Sequence, residues 1–252
     1  MEFPFLLSSR CTRKLQKRIG LLKTDSLSFC LPHCVARWKV LYWNKKQPRL
    51  YKSEETTMKR AYINGILLDG TQHMEPQAHK VLLCEDGVIT AVADEGTDLD
   101  GYEVIDLHGG YAMPGLINLH VHLAGNGKPS AKPRDNAALV RKILSNGLTR
   151  ALAYRMVCSY AKLELLGGVT TIRTVGGIAD FDTRCRDDAQ AGKILAPRIL
   201  AANEGISVPG GHMAGSVAVA AHNNGEALTQ LTKASTQRVD LVKLMITGGV
   251  LD

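Results

Sequence analysis

The hydrophobic pattern of residues 58–113 is that of short, closely spaced strands. Its apolar runs are separated by turn-forming pairs such as Asn64-Gly65 and Gly109-Gly110, with no stretch long enough for a helix. The predicted strands are Ala61–Leu67 (a run broken by the turn pair Asn64-Gly65), Lys80–Cys84, Val88–Val92 and Tyr102–Leu107. We therefore predict a small antiparallel, β-sandwich-like domain over residues 58–113.

The pattern changes after Met113-Pro114-Gly115, where β-type runs begin to alternate with helical periodicity. Four runs are predicted as strands: Leu116–His122, Val169–Val175, Ile199–Ala202 and Leu241–Ile246. The predicted helical segments are Ala137–Leu166 (broken near Asn146-Gly147), Thr183–Ala191 and Glu226–Gln237. Strands separated by helices form parallel βαβ units. The sequence therefore predicts an α/β domain over residues 114–252.

The length of this second domain limits the architecture it can form. Residues 114–252 supply about four strands, whereas a complete (β/α)8 barrel takes about 250 residues. A half barrel would leave a strand edge unpaired. The predicted fold class is α/β: the first half of a (β/α)8 TIM barrel, preceded by the small β-sandwich-like domain and truncated after about four barrel strands.

Charge separates residues 1–57 from the rest of the chain. This leader holds 12 of the 31 Lys and Arg residues and 4 of the 24 Asp and Glu residues, so that its net charge is +8 while the remainder is near neutral. We interpret it as a poorly structured or non-native extension. A nucleic-acid or anionic-membrane partner would suit the leader alone, and neither is predicted for the main body.

Cysteine usage and hydropathy indicate the compartment. The six cysteines are too scattered for a disulfide framework or a zinc knuckle: Cys11, Cys30, Cys34, Cys84, Cys158 and Cys185. Such usage fits a reducing cytosol. No apolar run approaches the ~20 residues that cross a bilayer, so the sequence predicts a cytoplasmic protein.

The candidate chemistry begins with Leu119-His120-Val121-His122. On a strand, side chains two residues apart share a face and lie about 6.6 Å apart along the chain. Two imidazoles at this spacing can bind one divalent ion at about 2.0–2.1 Å. The alternative is two ordinary histidines on a half-exposed strand. The preceding Pro-Gly and the position at a strand's C-terminal end, where TIM barrels carry their active sites, favour a metal site.

The run Tyr111-Ala-Met-Pro-Gly-Leu-Ile-Asn-Leu-His-Val-His122 resembles the opening of the metal-dependent amidohydrolase superfamily. The segments 168–176 and 192–200 resemble the second strand, and the approach to the third, of the branch related to imidazolonepropionase and Xaa-Pro or Xaa-Arg dipeptidases. The resemblance implies that His120 and His122 bind one or two divalent ions, with zinc expected. Thr174 departs from this branch, many members of which carry aspartate after the strand-two arginine.

Lys243 is the third predicted metal ligand. It lies in the apolar run 240–249, where a lysine is costly to bury as a cation and a neutral amine is favoured. A neutral amine can add CO2, and the resemblance implies that this lysine is a carbamate that bridges the metals. The alternative is a lysine that reaches the barrel mouth or pairs with a carboxylate.

His212 is the predicted substrate-binding residue. It ends Val208-Pro-Gly-Gly-His212, a loop after the third predicted strand whose glycines let the backbone approach a ligand closely. The resemblance implies a Gly-His pair that lines the substrate pocket. An ordinary loop histidine is the alternative.

The resemblance implies a hydrolase of carbon–nitrogen bonds, amide or peptide-like, that acts through a metal-activated water. Its substrate would be a small-molecule amide or dipeptide, and the full-length protein could form a homo-oligomer. The family completes its site with histidines from strands five and six and an aspartate after strand eight, none of which has a counterpart here. We therefore predict no catalytic acid or base in this chain, and we expect the chain alone to be inactive.

Two other classes of function stay open at this point. The chain could be a non-catalytic truncated fragment, or it could bind nucleic acid or membranes through its basic leader.

Overall fold

The computed structural model describes residues 5–8, 38–40, 57–125 and 135–248. Contacts divide the chain into two compact units, with the main boundary between Gly115 and Leu116. Most of the predicted leader, with Cys11, Cys30 and Cys34, lies outside the described residues. Two short strands are described within it, β1 (Phe5–Ser8) and β2 (Trp38–Val40).

The first unit is built on one seven-stranded sheet. Its other strands are β3 (Lys59–Leu67), β4 (Gln77–Glu85), β5 (Val88–Asp94), β6 (Glu103–Asp106) and β7 (Tyr111–Pro114). The order is β2-β1-β7-β3-β4-β5, with β6 also paired to β3. The predicted hairpin of β4 and β5 is confirmed, and Asp86 and Gly87 make its turn with φ values of 48° and 79°.

The prediction of a wholly antiparallel unit is wrong for β6 and β7, which both run parallel to β3. The β4–β5 hairpin comes between β3 and β6 along the chain, so the chain returns to β3 by a crossover. Asn64-Gly65, predicted as a turn, instead lies inside β3 where the register shifts. Asn64 takes a φ of 54° there, which is typical of a bulge.

Both faces of this sheet are covered by apolar packing. Along β4, Val81 and Leu83 belong to one cluster of buried residues, whereas Leu82 between them belongs to another. Side chains that alternate along a strand point to opposite faces. The apolar run that predicted β4 is therefore the signature of a strand buried on both sides.

The second unit is α/β, as predicted. Its strands are β8 (Leu116–Val121), β9 (Val169–Thr174), β10 (Arg198–Leu200), β11 (Gly205–Ser207), β12 (Ala218–Ala220) and β13 (Leu244–Met245). Its described helices are α1 (Asn136–Leu144), α2 (Gly147–Leu166), α3 (Phe181–Gln190) and α4 (Asn224–Thr236). The strands form two parallel three-stranded sheets, β10-β9-β8 and β12-β11-β13.

The third and fourth predicted strands differ from those observed. The chain continues from β10, which pairs with β9, into β11, which pairs with β13. The strand predicted over 241–246 is reduced to Leu244–Met245, so that Lys243 lies directly before it. β11 and β12 have three residues each, which is too short for an alternation of apolar and polar positions to be visible.

The core of the second unit lies between its helices and β9. Asn146 begins α2 by accepting a hydrogen bond from the Thr149 N–H at 2.9 Å, as expected for a cap at the predicted helix break. Tyr154 of α2 packs on Phe181 of α3, with 5.7 Å between ring centroids. Among the described helices, none has the length and apolar character needed to cross a membrane.

A buried arginine connects α3 to the segment that precedes β13. The Arg186 guanidinium donates to the Asp240 carboxylate and to the Arg238 carbonyl, each at 2.8 Å, and only 8% of its side chain is exposed. The same Asp240 oxygen accepts from the Ala201 N–H at 2.8 Å. Arg186 and Asp240 therefore join α3, the residue after β10 and the approach to β13.

Replacing Arg186 with methionine should lower the free energy of unfolding by about 2–4 kcal/mol, because Asp240 would lose a charged partner in a partly buried site. Urea denaturation followed by circular dichroism measures this loss. Arg198→Met is the matched control, since Arg198 is exposed and its change should stay within about 0.5 kcal/mol. Equal effects of the two substitutions would contradict a role of Arg186 in joining these elements.

Candidate metal centre

The two histidines of the predicted metal site lie at the C-terminal end of β8. His120 is within the strand and His122 directly follows it. Their ring centroids are 5.3 Å apart, and the ring planes meet at 64°. Both side chains are therefore close enough to share one bound ion, and His120 is exposed while His122 is half-buried.

A backbone carbonyl sets the orientation of the His122 ring. Its Nδ1 lies 2.9 Å from the Gly176 oxygen. A carbonyl oxygen only accepts hydrogen bonds, so Nδ1 must be the protonated nitrogen of the neutral ring. The Nε2 lone pair is then available to a metal, which is the arrangement that metal-binding histidines commonly show.

Glycine at position 176 is required by this contact. Gly176 has a φ of 134°, and a Cβ there would lie 3.3 Å from His122 Cε1. Any side chain would therefore combine backbone strain with crowding of the imidazole. The Gly-Gly pair that follows the second predicted strand of the α/β domain thus has a local role, which the sequence pattern did not reveal.

His120 lies in an electropositive neighbourhood. Burial lowers its pKa, and four nearby groups lower it further: His122, Lys243, Arg173 and His212. A lowered pKa keeps the imidazole neutral near pH 7 and able to bind a cation. The structure thus places the other three predicted site residues, His122, Lys243 and His212, within electrostatic range of His120.

Arg173 is a site residue that sequence reasoning did not single out. It lies on β9, next to β8, and its Nε donates to the Leu119 carbonyl at 2.7 Å. This bond holds a permanent positive charge beside His120. The signal available in the sequence was its position on the strand that pairs with the His-x-His strand.

Lys243 is half-buried and lies directly before β13. Its carbonyl accepts from the Ile206 N–H at 2.8 Å, which fixes its backbone against β11. Its Cγ lies 3.4 Å from the position that a Cβ on Gly205 would take. The absence of a side chain at Gly205 therefore leaves room for the lysine stem.

His212 is half-buried on the loop after β11. Its carbonyl accepts from the Ser207 hydroxyl at 3.2 Å, and its N–H donates to the Thr247 carbonyl at 3.4 Å. These bonds attach the loop to β11 on one side and to the residues after β13 on the other. His212 is thus held near His120 by the backbone.

Histidine, cysteine and carboxylate residues do not supply a third ligand within the described part of the chain. No group of three or more such side chains there is placed to hold a metal ion. Lys243, the third predicted ligand, lies within electrostatic range of His120.

Behind Gly176, the structure has a buried carboxyl group. Asp182, in the first turn of α3, is 1% exposed, and its Oδ2 would be 2.6 Å from a Cβ on Gly177. Thr174, where the sequence departs from the branch it resembles, is also buried and accepts from the Ala202 N–H at 3.0 Å. Sequence reasoning missed Asp182 because an aspartate in a first helical turn usually only interacts with the helix dipole.

Gly177→Ala should destabilise the protein by about 1–3 kcal/mol, because the added methyl group would overlap a carboxyl that has no open space to enter. Thermal denaturation measures the effect. Gly147→Ala is the control: Gly147 begins α2 in open space, and alanine there should cause no loss. A Gly177→Ala protein as stable as the unsubstituted chain would contradict the close contact with Asp182.

The folded chain resembles solved structures of amidohydrolases. One described as a prolidase, from Bifidobacterium longum, is 28% identical over 77% of this chain with a TM-score of 0.57. An amidohydrolase structure is 24% identical over 77% of the chain, with a TM-score of 0.63. A Xaa-Pro dipeptidase with methionine bound in its active site is 23% identical over 76%, with a TM-score of 0.60.

These matches support a relationship to the amidohydrolase superfamily over the part of the chain that they cover, in agreement with the predicted resemblance. The chain spans 42–48% of the length of these three structures. Comparison with models of protein families found no match, and neither did comparison with curated proteins.

Proposed function

We propose that this chain carries the metal-binding strands of a hydrolase that cleaves carbon–nitrogen bonds in small amide or peptide-like molecules. The observation that carries the proposal is the His120–His122 pair at the end of β8, with 5.3 Å between ring centroids and His122 Nε2 left available by the bond to Gly176. The likeness to amidohydrolase and prolidase structures supports it.

The residues that would hold the metal are His120, His122 and a carboxylated Lys243, and zinc is the proposed ion, in one or two copies. A bound divalent ion would lower the pKa of a water ligand and polarise the amide carbonyl. The neutral imidazoles and the half-buried lysine fit such an ion in donor type.

The charge around His120 supports a carbamate on Lys243. Arg173 is a permanent cation near His120, and an ammonium at Lys243 would add a second positive charge there. After the ammonium releases its proton, the neutral amine can add CO2 and release a second proton, so that an anionic carbamate takes the place of the cation and reduces repulsion on any metal that binds. The Arg173 guanidinium would attract the carboxylate of a dipeptide or an acyl amino acid.

His212 and Arg173 are the proposed substrate-orienting groups. The Arg173 guanidinium is held by its bond to the Leu119 carbonyl, and the His212 backbone is held by bonds to Ser207 and Thr247, so that both residues are in place before a substrate arrives. A substrate carboxylate held by these groups would place its amide bond next to the histidine pair. We infer a small-molecule substrate and propose no nucleic-acid or membrane partner.

We further propose that the chain alone binds metal without turnover, since it lacks counterparts to the histidines and the aspartate described above. The test loads the chain with zinc and measures binding of an amino-acid hydroxamate, an amide analogue that chelates metals. Binding should require zinc and should disappear in the His120→Ala/His122→Ala variant. Hydrolysis of dipeptides and acyl amino acids is assayed in parallel and should be absent.

Two results would contradict the proposal in different ways. Zinc-dependent hydrolysis by the isolated chain would show that it is active. This result would overturn only the proposal that the chain alone has no turnover. Stoichiometric zinc without hydroxamate binding would instead favour a metal-binding protein that is not a hydrolase.

A further inference from the structure

Asp182 is a buried acid with an unusual environment. Its Oδ2 is inaccessible to solvent and has no hydrogen-bond partner among the described residues. Burial raises the pKa of the Asp182 carboxyl. Hydrogen bonds from the Thr174 hydroxyl and the Asn203 backbone N–H act in the opposite direction and lower it. A carboxyl with an unpaired oxygen is expensive to bury, so packing alone does not account for an acid at this position.

The turn after β9 lies between this acid and the candidate metal centre. The Gly176 carbonyl accepts from His122 Nδ1, and the position of a Cβ on Gly177 is 2.6 Å from Asp182 Oδ2. His122 is also close enough to act electrostatically on the Asp182 carboxyl. Two glycine residues therefore separate the imidazole from the acid.

Hydrogen bonds between peptide groups connect the same elements. The Gly176–Gly177 peptide accepts from His122 through its carbonyl and donates through the Gly177 N–H to the Asn203 carbonyl at 2.8 Å. Asn203 in turn is fixed by its side chain, which accepts from the Thr183 N–H and donates to the Thr183 hydroxyl, both at 3.0 Å. The first turn of α3 thus holds the peptide that orients His122.

We propose that Asp182 is a positioning residue for His122: its buried carboxyl packs against the Gly176–Gly177 turn and acts electrostatically on the imidazole that binds the cation. This inference rests on the proposed metal-binding function. In its ionised form this carboxyl would favour the ring with Nδ1–H directed at Gly176 and would increase the donor strength of Nε2. Outer groups of this kind commonly change metal affinity 10- to 100-fold.

The test compares Asp182→Asn with Asp188→Asn in the full 252-residue chain. Asp188 is an acid of the same helix that accepts from the Tyr154 hydroxyl at 2.6 Å, on the side that faces α2. Zinc affinity is measured by competition with a chromophoric chelator. Asp182→Asn should weaken zinc binding about 10- to 100-fold without lowering the melting temperature of the metal-free protein, and Asp188→Asn should leave the affinity unchanged.

A second measurement needs no metal. In metal-free protein labelled with 15N-histidine, Asp182→Asn should shift the ring nitrogens of His122 and leave those of exposed His108 in place. If the unsubstituted chain binds no zinc, the proposed function fails, and this signal still decides whether Asp182 acts on His122.

Three results would overturn the role of Asp182. One is unchanged zinc affinity with unchanged His122 signals. Another is a loss of affinity that only follows a loss of stability, equal in the two aspartate variants. If Asp182→Asn does not fold, Thr174→Val replaces it, and zinc affinity that is unaffected by removing the Thr174 hydroxyl would count against the proposal.

Discussion

Replacing His120 and His122 together with alanine should weaken zinc binding by at least about 100-fold and leave less than 0.1 equivalent of zinc, on the order of trace metal, after gel filtration. The reason is that the two imidazoles are the proposed ligands, and their rings are close enough to share one ion. Loss of both leaves Lys243 with no partner for a metal. Elemental analysis together with calorimetric titration measures the change.

The control for this experiment is a second double-histidine variant. His79 and His108 are exposed in the first unit, with 81% and 60% of their side chains accessible. His79→Ala/His108→Ala should therefore keep zinc binding at the level of the unsubstituted chain. Retention of zinc by the His120→Ala/His122→Ala protein would remove the basis of the metal-centre assignment.

Lys243→Met should reduce zinc affinity about 10- to 100-fold, and it should also abolish any effect of bicarbonate on that affinity. The unsubstituted chain should bind zinc more tightly when bicarbonate is added, because CO2 in equilibrium with it converts the lysine to an anionic ligand. Methionine has a similar length but no amine to react. Titrations with and without bicarbonate separate this role from simple packing.

Lys162→Met provides the matched control, since Lys162 is exposed on α2. It should change neither zinc affinity nor the bicarbonate response. A bicarbonate effect that persists in Lys243→Met would show that the carbamate lies elsewhere or does not form.

The order of strands and helices was predictable because local patterns dominate it. β4, β5, β8 and β9 coincide with apolar runs, and the break between α1 and α2 falls at Asn146, whose side chain caps α2. Pairing direction was not predictable for β6 and β7, because it depends on which distant strand each segment meets. The three-residue strands β11 and β12 depend wholly on tertiary contacts.

The candidate site was predictable only where chemistry and spacing coincide on one strand. His120 and His122 lie two residues apart on a strand and so share a face. Their spacing in the sequence is therefore enough to predict that the two side chains lie close together. Their relation to Arg173, Asp182 and the Gly176 carbonyl depends on segments 51 or more residues away along the chain. No local pattern contains that information, which is why the orientation of His122 emerged only from the fold.

Electrostatic interactions determine which forms of the site residues are favoured. Burial and surrounding positive charge keep His120 neutral, while a carbonyl fixes the tautomer of His122. Neutral imidazoles do not balance the charge of a bound divalent ion, so a bound ion would also need an anionic ligand. Lys243 as a carbamate would supply one within the chain, and a substrate carboxylate would supply another.

X-ray absorption at the zinc edge, on the chain loaded with one equivalent of zinc, tests the metal centre most directly. The account predicts nitrogen and oxygen ligands at about 2.0–2.1 Å, with the outer-shell pattern of two imidazoles that disappears in the His120→Ala/His122→Ala variant. Zinc bound through sulfur at about 2.3 Å, or through oxygen alone with no imidazole pattern, would contradict it.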